Sequence, residues 1–132
     1  MLWICRAGQD AIFYSRYLSE SIIALPWNGY RFDLSELDSM EACRNIVAKE
    51  KATTNRISIS NWSAQLFAFC HEMQIGDYVL IPGYHGRSYS LAEIVSNYYF
   101  CNDDEVLCHK RKIKILKEDI NKEFFHNQSS IL

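Results

Sequence analysis

No run in this 132-residue chain approaches the roughly 18 consecutive apolar residues a membrane span requires, and the opening Met1–Arg6 is too short before its first charge to serve as a signal peptide. A cytoplasmic location is therefore expected. The sequence also lacks any Cys-x-x-Cys pair and any Cys/His set at zinc-site spacing. Its five cysteines, Cys5, Cys43, Cys70, Cys101 and Cys108, are odd in number and scattered, so they read as buried or idle thiols rather than disulfide partners or metal ligands. A large excess of one sign of charge is missing as well: 14 Lys and Arg against 16 Asp and Glu leave a net −2. A protein that coats nucleic acid by charge alone is excluded by that balance, because such binding needs many cationic contacts to phosphate. Only a focused nucleic-acid site is compatible with it.

Catalytic motifs are equally scarce. There is no nucleophile elbow and no phosphate loop, and His71-Glu72 lacks the second histidine of a His-Glu-x-x-His zinc helix. No enzyme activity, cofactor or metal is expected. What remains is a composition of 48% hydrophobic, 14% aromatic and 23% charged residues, typical of a globular domain with one core.

Along the chain, Leu2–Arg6 is β-prone and Ala7-Gly8-Gln9-Asp10 breaks it. Asp10 is placed to cap a helix over Ala11–Leu18, and Ser21–Leu25 reads as a short strand stopped by Pro26. Trp27–Leu37 looks like a loop. Asp38-Ser39-Met40-Glu41 has the form of a capping box, opening a helix to about Lys51 that ends in positive charge. Ser58 or Ser60 can cap a third helix, whose residues Trp62, Leu66, Phe69, Cys70 and Met73 share one face. Gly76-Asp77 turns the chain into a strand, Tyr78–Ile81. Past the tip Gly83-Tyr84-His85-Gly86, a return strand covers Tyr89–Val95 and a last one Leu107–Leu116. The pattern predicts an α+β fold: a small β-barrel of about 5–6 strands with helices inserted between the early ones.

Three blocks in this order resemble a known family. Asn61-Trp62-Ser63-Ala64-Gln65-Leu66, followed by Gly76-Asp77-Tyr78-Val79, is similar to the Asn-x-x-[Ala/Gly]-Gln-Leu…Gly-Asp-x-Val block of PUA-like N-terminal domains of Mrr-type restriction nucleases and related bacterial defence proteins. Trp3-Ile4-Cys5-Arg6-Ala7-Gly8 resembles their Trp-x-x-Arg-Ala-Gly start, and Ile23–Trp27 their Ile-Gly-Trp segment. EVE domains are a more distant likeness, through Asn61–Gln65, Gly76-Asp77 and Tyr84-His85-Gly86. The sequence departs from the PUA-like pattern at Pro26, where those domains have Gly, and from EVE domains at Gln65, where they have Arg, and Gly86, where they have Ser. The resemblance implies a PUA-like or EVE-like binding domain over 1–120, with 121–132 a tail or the start of a linker to a further domain. It also implies a role in a restriction or antiphage system: holding DNA, with a modified or flipped base in an aromatic pocket, for an effector nuclease on the same polypeptide. The nuclease constellation Asp…Glu-x-Lys is not expected here, since no Glu-x-Lys occurs.

Such a site needs stacking surfaces and groups for the base edge. Trp3, Trp27, Trp62, Tyr84 and Tyr89 are the stacking candidates, with Trp62 also placed for the core and Trp27 for either packing or a pocket wall. Arg6 interrupts an apolar strand and faces either solvent or the site. Asn61 and Gln65 stand four apart on one helix side, as base-edge readers or as a cap and a solvated amide. His85 is a tip residue exposed or in contact with ligand, and Asp77 fixes the turn. Lys110, Lys112 and Lys114 form one side of a basic strip, with Arg111, Ile113 and Ile115 on the other. That strip contacts phosphate or guards a solvated sheet edge. A second function class fits the same residues: a regulatory sensor or interaction module binding a nucleotide-like small molecule or a partner protein.

Overall fold

The computed structural model describes residues 1–27 and 29–123. In chain order its main elements are β1 (Leu2–Ile4), α1 (Tyr14–Glu20), β2 (Ile22–Ala24), α2 (Met40–Lys51), α3 (Arg56–Phe67), β3 (Tyr78–Pro82), β4 (Ser88–Ile94), β5 (Tyr99–Phe100) and β6 (His109–Asn121). The fold is α+β, with a six-stranded mixed sheet in the order β1-β3-β4-β6-β2 and β5 paired to β6. The chain divides into two compact units, one of residues 1–24, 75–96 and from 111 on, the other of residues 25–74 and 97–110.

The first unit holds most of the sheet. Val79, Leu80 and Ile81 are all buried, which matches a strand flanked by β1 (parallel, Trp3 opposite Val79) and β4 (antiparallel, Val79 opposite Ala92). In β4 only every second residue, Ser90, Ala92 and Ile94, is buried, the period-2 signature of a strand with one covered face. Gly76, at φ +97°, makes the turn into β3 in a conformation other residues rarely adopt. The next residue locks that turn to β1, because Asp77 Oδ2 accepts the Trp3 indole N–H at 2.9 Å. Trp3 is thus a structural anchor, and its ring nitrogen is committed.

The helix expected over Ala11–Leu18 starts later, at Tyr14, and Asp10 does not cap it. Asp10 lies in the left-handed region (φ 56°, ψ 26°) inside a short 3-10 turn, Gln9–Ala11. The cause is a tight loop at Gly8, where a Cβ would stand 2.8 Å from the Phe13 ring. The chain must complete that loop before the helix begins. The last strand runs five residues past Leu116, because the first residues of β4 pair with its far end, Ser88 with Asn121 and Tyr89 with Ile120. It is also interior, between β4 and β2, so the edge-guard reading of its lysines does not hold. Of the predicted 121–132 tail, residues 124–132 lie outside the described residues.

In the second unit α2 and α3 pack on each other across a short link. Ser39, one residue after the expected Asp38, caps α2 by accepting the Ala42 N–H at 3.1 Å. Asn55 caps α3, its Oδ1 accepting from the N–H groups of Ile57 and Ser58 at 3.1 Å each. The helix therefore begins ahead of Ser58 and Ser60, and Asn61 sits mid-helix with no capping role. Replacing Asn55 with Ala should lower stability by about 1 kcal/mol, read as a shift of the urea midpoint at constant slope. A π-helical turn, Ala68–Glu72, prolongs α3 and brings Phe69, Cys70 and Met73 into the core with Leu66.

Candidate aromatic site

The predicted residues fall into two groups, one in each unit. In the sheet unit, Arg6 is exposed just beyond β1. Tyr84 is exposed at the hairpin tip, its hydroxyl 2.9 Å from Ser15 Oγ and its ring edge-on to Tyr14 at 5.5 Å. His85 is exposed beside it in a left-handed conformation, φ 59°. Tyr89 is half-buried on β4, and Lys112 and Lys114 are exposed on β6. Arg111, with which they alternate, is buried at 2% exposure and donates to the Ser96 carbonyl at 3.2 Å.

In the helical unit three rings come together. Trp27, just past Pro26, lies 5.3 Å from Tyr30 and 5.5 Å from Trp62 of α3, centroid to centroid. Both indoles are half-buried, whereas Tyr30 is fully buried. The Lys51 ammonium, from the last turn of α2, stands 3.5 Å above the Trp62 ring, 5.6 Å from Trp27 and 5.8 Å from Tyr30. All three distances are within the range at which a ring quadrupole attracts a cation. Burial lowers the Lys51 pKa. Ala52, in the left-handed region, ends α2 and reverses the chain toward α3, which brings Lys51 and Trp62 together.

Tyr30 supplies the second chemical feature. Its hydroxyl is buried without a hydrogen-bond partner among the described residues, and its pKa is pushed up to about 12, first by burial and then by the negative charge of Glu50. Its carbonyl is fixed from the far side by His109 Nε2 at 2.5 Å. Asn61 and Gln65 are exposed on α3, the helix that carries Trp62. Lys110 is nearly buried, with its ammonium 3.0 Å from Asp104 Oδ2, so an internal carboxylate already engages the charge proposed for phosphate.

Sequence reasoning singled out Trp27 and Trp62 but missed Tyr30 and Lys51. The Trp27-x-x-Tyr30 spacing was the available signal for the first. Lys51 looked like ordinary helix-end charge. Burial pushes the Cys5 thiol up to about 12 and raises those of Cys43 and Cys108, so these three thiols are held in the protonated, weakly nucleophilic form. Among the described residues no three His, Cys, Asp or Glu side chains come together as a metal site, and no helix is long and apolar enough to cross a membrane.

Comparison with curated proteins and with solved structures gives no match. A family model does match, over residues 3–131, and so takes in both the sheet residues and the aromatic cluster just described. The chain belongs to that family, described as a domain of unknown function (DUF8426).

Proposed function

We propose that this chain is a non-catalytic, PUA-like recognition domain that reads a modified or extruded base in DNA for a restriction or antiphage-defence protein. The observation that carries the reading is the Trp27–Tyr30–Trp62 cluster: two half-buried indoles gathered on a helix and a loop, with a buried hydroxyl beside them that has no partner among the described residues. A flat π-system stacking on such indoles gains roughly 1–3 kcal/mol, and a base-edge group offers that buried hydroxyl a hydrogen bond. Asn61 and Gln65 offer further amides on the same helix. Arg6, Tyr84, His85, Lys112 and Lys114 are exposed and available to backbone or phosphate. The sequence blocks resembling PUA-like defence domains point the same way, and they imply an effector nuclease on the same polypeptide.

The test is salt-dependent binding to oligonucleotides carrying single modified bases. Trp27→Ala should weaken binding about 5- to 150-fold, the stacking of one base. Arg6→Ala should weaken it and flatten the salt dependence. Indifference to every modified and unmodified oligonucleotide would overturn the reading. A partner-protein role has one observation in its favour, the exposed Leu2 and Ile4 on β1 at the end of the sheet order. Thermal shifts with free nucleotides but none with DNA would favour the small-molecule sensor instead.

A further inference from the structure

The aromatic cluster already contains a cation, and the manner in which it is held says what the site prefers. An ammonium has three N–H donors and is strongly hydrated, so a buried or half-buried lysine ordinarily finds a carboxylate or carbonyl. Lys51 does not: among the described residues it has neither an ion pair nor a hydrogen bond, and its contacts are the faces of Trp62, Trp27 and Tyr30. Glu50, the preceding residue, places a carboxylate near enough for its charge to act on Tyr30. Three electron-rich faces and a nearby anion make a site of negative potential. The resident ammonium compensates it at the expense of its own hydration.

We propose that Lys51 is a tethered stand-in for the ligand, and that the base taken by the Trp27–Tyr30–Trp62 cage is one that carries a positive charge. This inference rests on the base-reading function above and narrows it to a ligand class. A neutral base stacking on Trp62 must expel Lys51 and leaves the cage without its cation. A cationic base exchanges one positive charge for another, keeps the cation–π attraction and adds stacking area. An alkylated ring carries its charge delocalised and poorly hydrated, so it enters the cage with less desolvation than the lysine ammonium. The Tyr30 hydroxyl, buried and with no partner among the described residues, is the polar group offered to an exocyclic oxygen or nitrogen of that base. Lys51, once displaced from the end of α2, is released into solvent on a flexible four-carbon stem.

Two sources of charge fit the same chemistry, a charged ring and a base bearing an alkylammonium arm. Nucleosides separate them without involving phosphate contacts: 7-methylguanosine against guanosine for the first, 5-aminomethyl-deoxyuridine against 5-hydroxymethyl-deoxyuridine for the second. Titrations of the full chain are followed by tryptophan fluorescence and by the indole N–H resonances of Trp27 and Trp62. At least one charged nucleoside should bind about tenfold or more tightly than its neutral counterpart. Lys51→Ala, which removes the tethered competitor, should tighten the charged nucleoside several-fold more. Trp62→Ala should abolish the response, and should that variant fail to fold, the charged-to-neutral ratio in the native chain and in Lys51→Ala decides alone. Equal affinity for charged and neutral members of both pairs would overturn the inference, as would Lys51→Ala leaving the charged affinity unchanged. If neutral modified bases in oligonucleotides still bind through Trp27, the inference fails while the base-reading function stands. If no nucleoside and no oligonucleotide binds, both fail.

Discussion

Arg111→Ala should destabilise the protein by about 3–5 kcal/mol, a large part of the roughly 5–15 kcal/mol that holds a domain of this size together. Arg111 is among the largest fully buried side chains, at 2% exposure, in a strand flanked on both sides. It donates from Nη1 to the Ser96 carbonyl at 3.2 Å. Ser96 is tied to the same strand from its side chain, since Lys112 N–H donates to its Oγ at 2.7 Å, and Val95 N–H donates to the Lys112 carbonyl at 3.0 Å. The guanidinium therefore holds the end of β4 down onto β6. Truncation opens a cavity the length of an arginine stem and removes a charge-assisted donor from the Ser96 carbonyl. Arg111→Met keeps most of the stem's volume and should recover about half of the loss. Chemical denaturation of the three proteins decides: an Ala variant within about 0.5 kcal/mol of the parent would mean the arginine's burial contributes nothing net.

That arginine illustrates what the sequence conveys and what it leaves out. Alternation alone put Arg111, Ile113 and Ile115 on one side of the last strand and Lys110, Lys112 and Lys114 on the other, and the burial pattern agrees from Arg111 to Ile115 but not at Lys110, which is buried. Period 2 is a local property, legible in six residues. Whether the strand is an edge is not local. It depends on β2, nearly ninety residues earlier in the chain, pairing alongside, and the basic residues read equally well for either position. For the same reason Lys110 looked like a free cation, although Asp104 reaches back from the preceding turn to pair with it. The helices α2 and α3 were legible because their apolar spacing is strong, while their first residues were misplaced because Asp38, Ser39, Asn55, Ser58 and Ser60 are all chemically competent caps. Backbone geometry chose among them. Trp27 and Trp62 were individually conspicuous, yet nothing in sequence fixes their 5.5 Å separation or sets Lys51 over them. The cage is a product of the reversal at Ala52, which no propensity of alanine announces.

Tyr98→Phe should cost about 2–4 kcal/mol although it deletes a single oxygen, because that oxygen stands in the middle of a chain of hydrogen bonds. The Leu34 N–H donates to Tyr98 Oη at 3.0 Å, and Tyr98 O–H lies 2.8 Å from His109 Nδ1. His109 Nε2, on the other side of the ring, is 2.5 Å from the Tyr30 carbonyl. Carbonyls only accept, so Nε2 carries the proton and Nδ1 accepts from Tyr98, which fixes the neutral tautomer. Removing the hydroxyl leaves the Leu34 N–H and His109 Nδ1 both without a partner, and each such orphan costs about 1–3 kcal/mol. The same arrangement sets a pH dependence. Burial is the largest influence on His109 and lowers its pKa below the ordinary value of 6.5; Arg31 acts in the same sense, whereas the Tyr30 carbonyl and Asp33 oppose it. Above that value the histidine is neutral whether the chain is folded or not, and its contribution to stability is complete. As pH falls below it the unfolded chain takes up a proton that the folded chain refuses, so stability is lost from about 6.5 down to the depressed native pKa, at no more than about 1.4 kcal/mol per pH unit. Carboxylates lose their own interactions lower down, so the comparison is made against His109→Gln, whose stability should change less between pH 7.5 and 5.5 than that of the parent. Parallel curves for the two proteins would place the His109 pKa at its unfolded value, and a Tyr98→Phe variant as stable as the parent would remove the hydrogen-bonded chain as its cause. Tyr30 stands at the end of that chain with its carbonyl held by the histidine and its ring in the aromatic cage. The Tyr30 carbonyl is therefore held by a neutral imidazole, and the cage should be best formed above the pH at which that imidazole takes a proton.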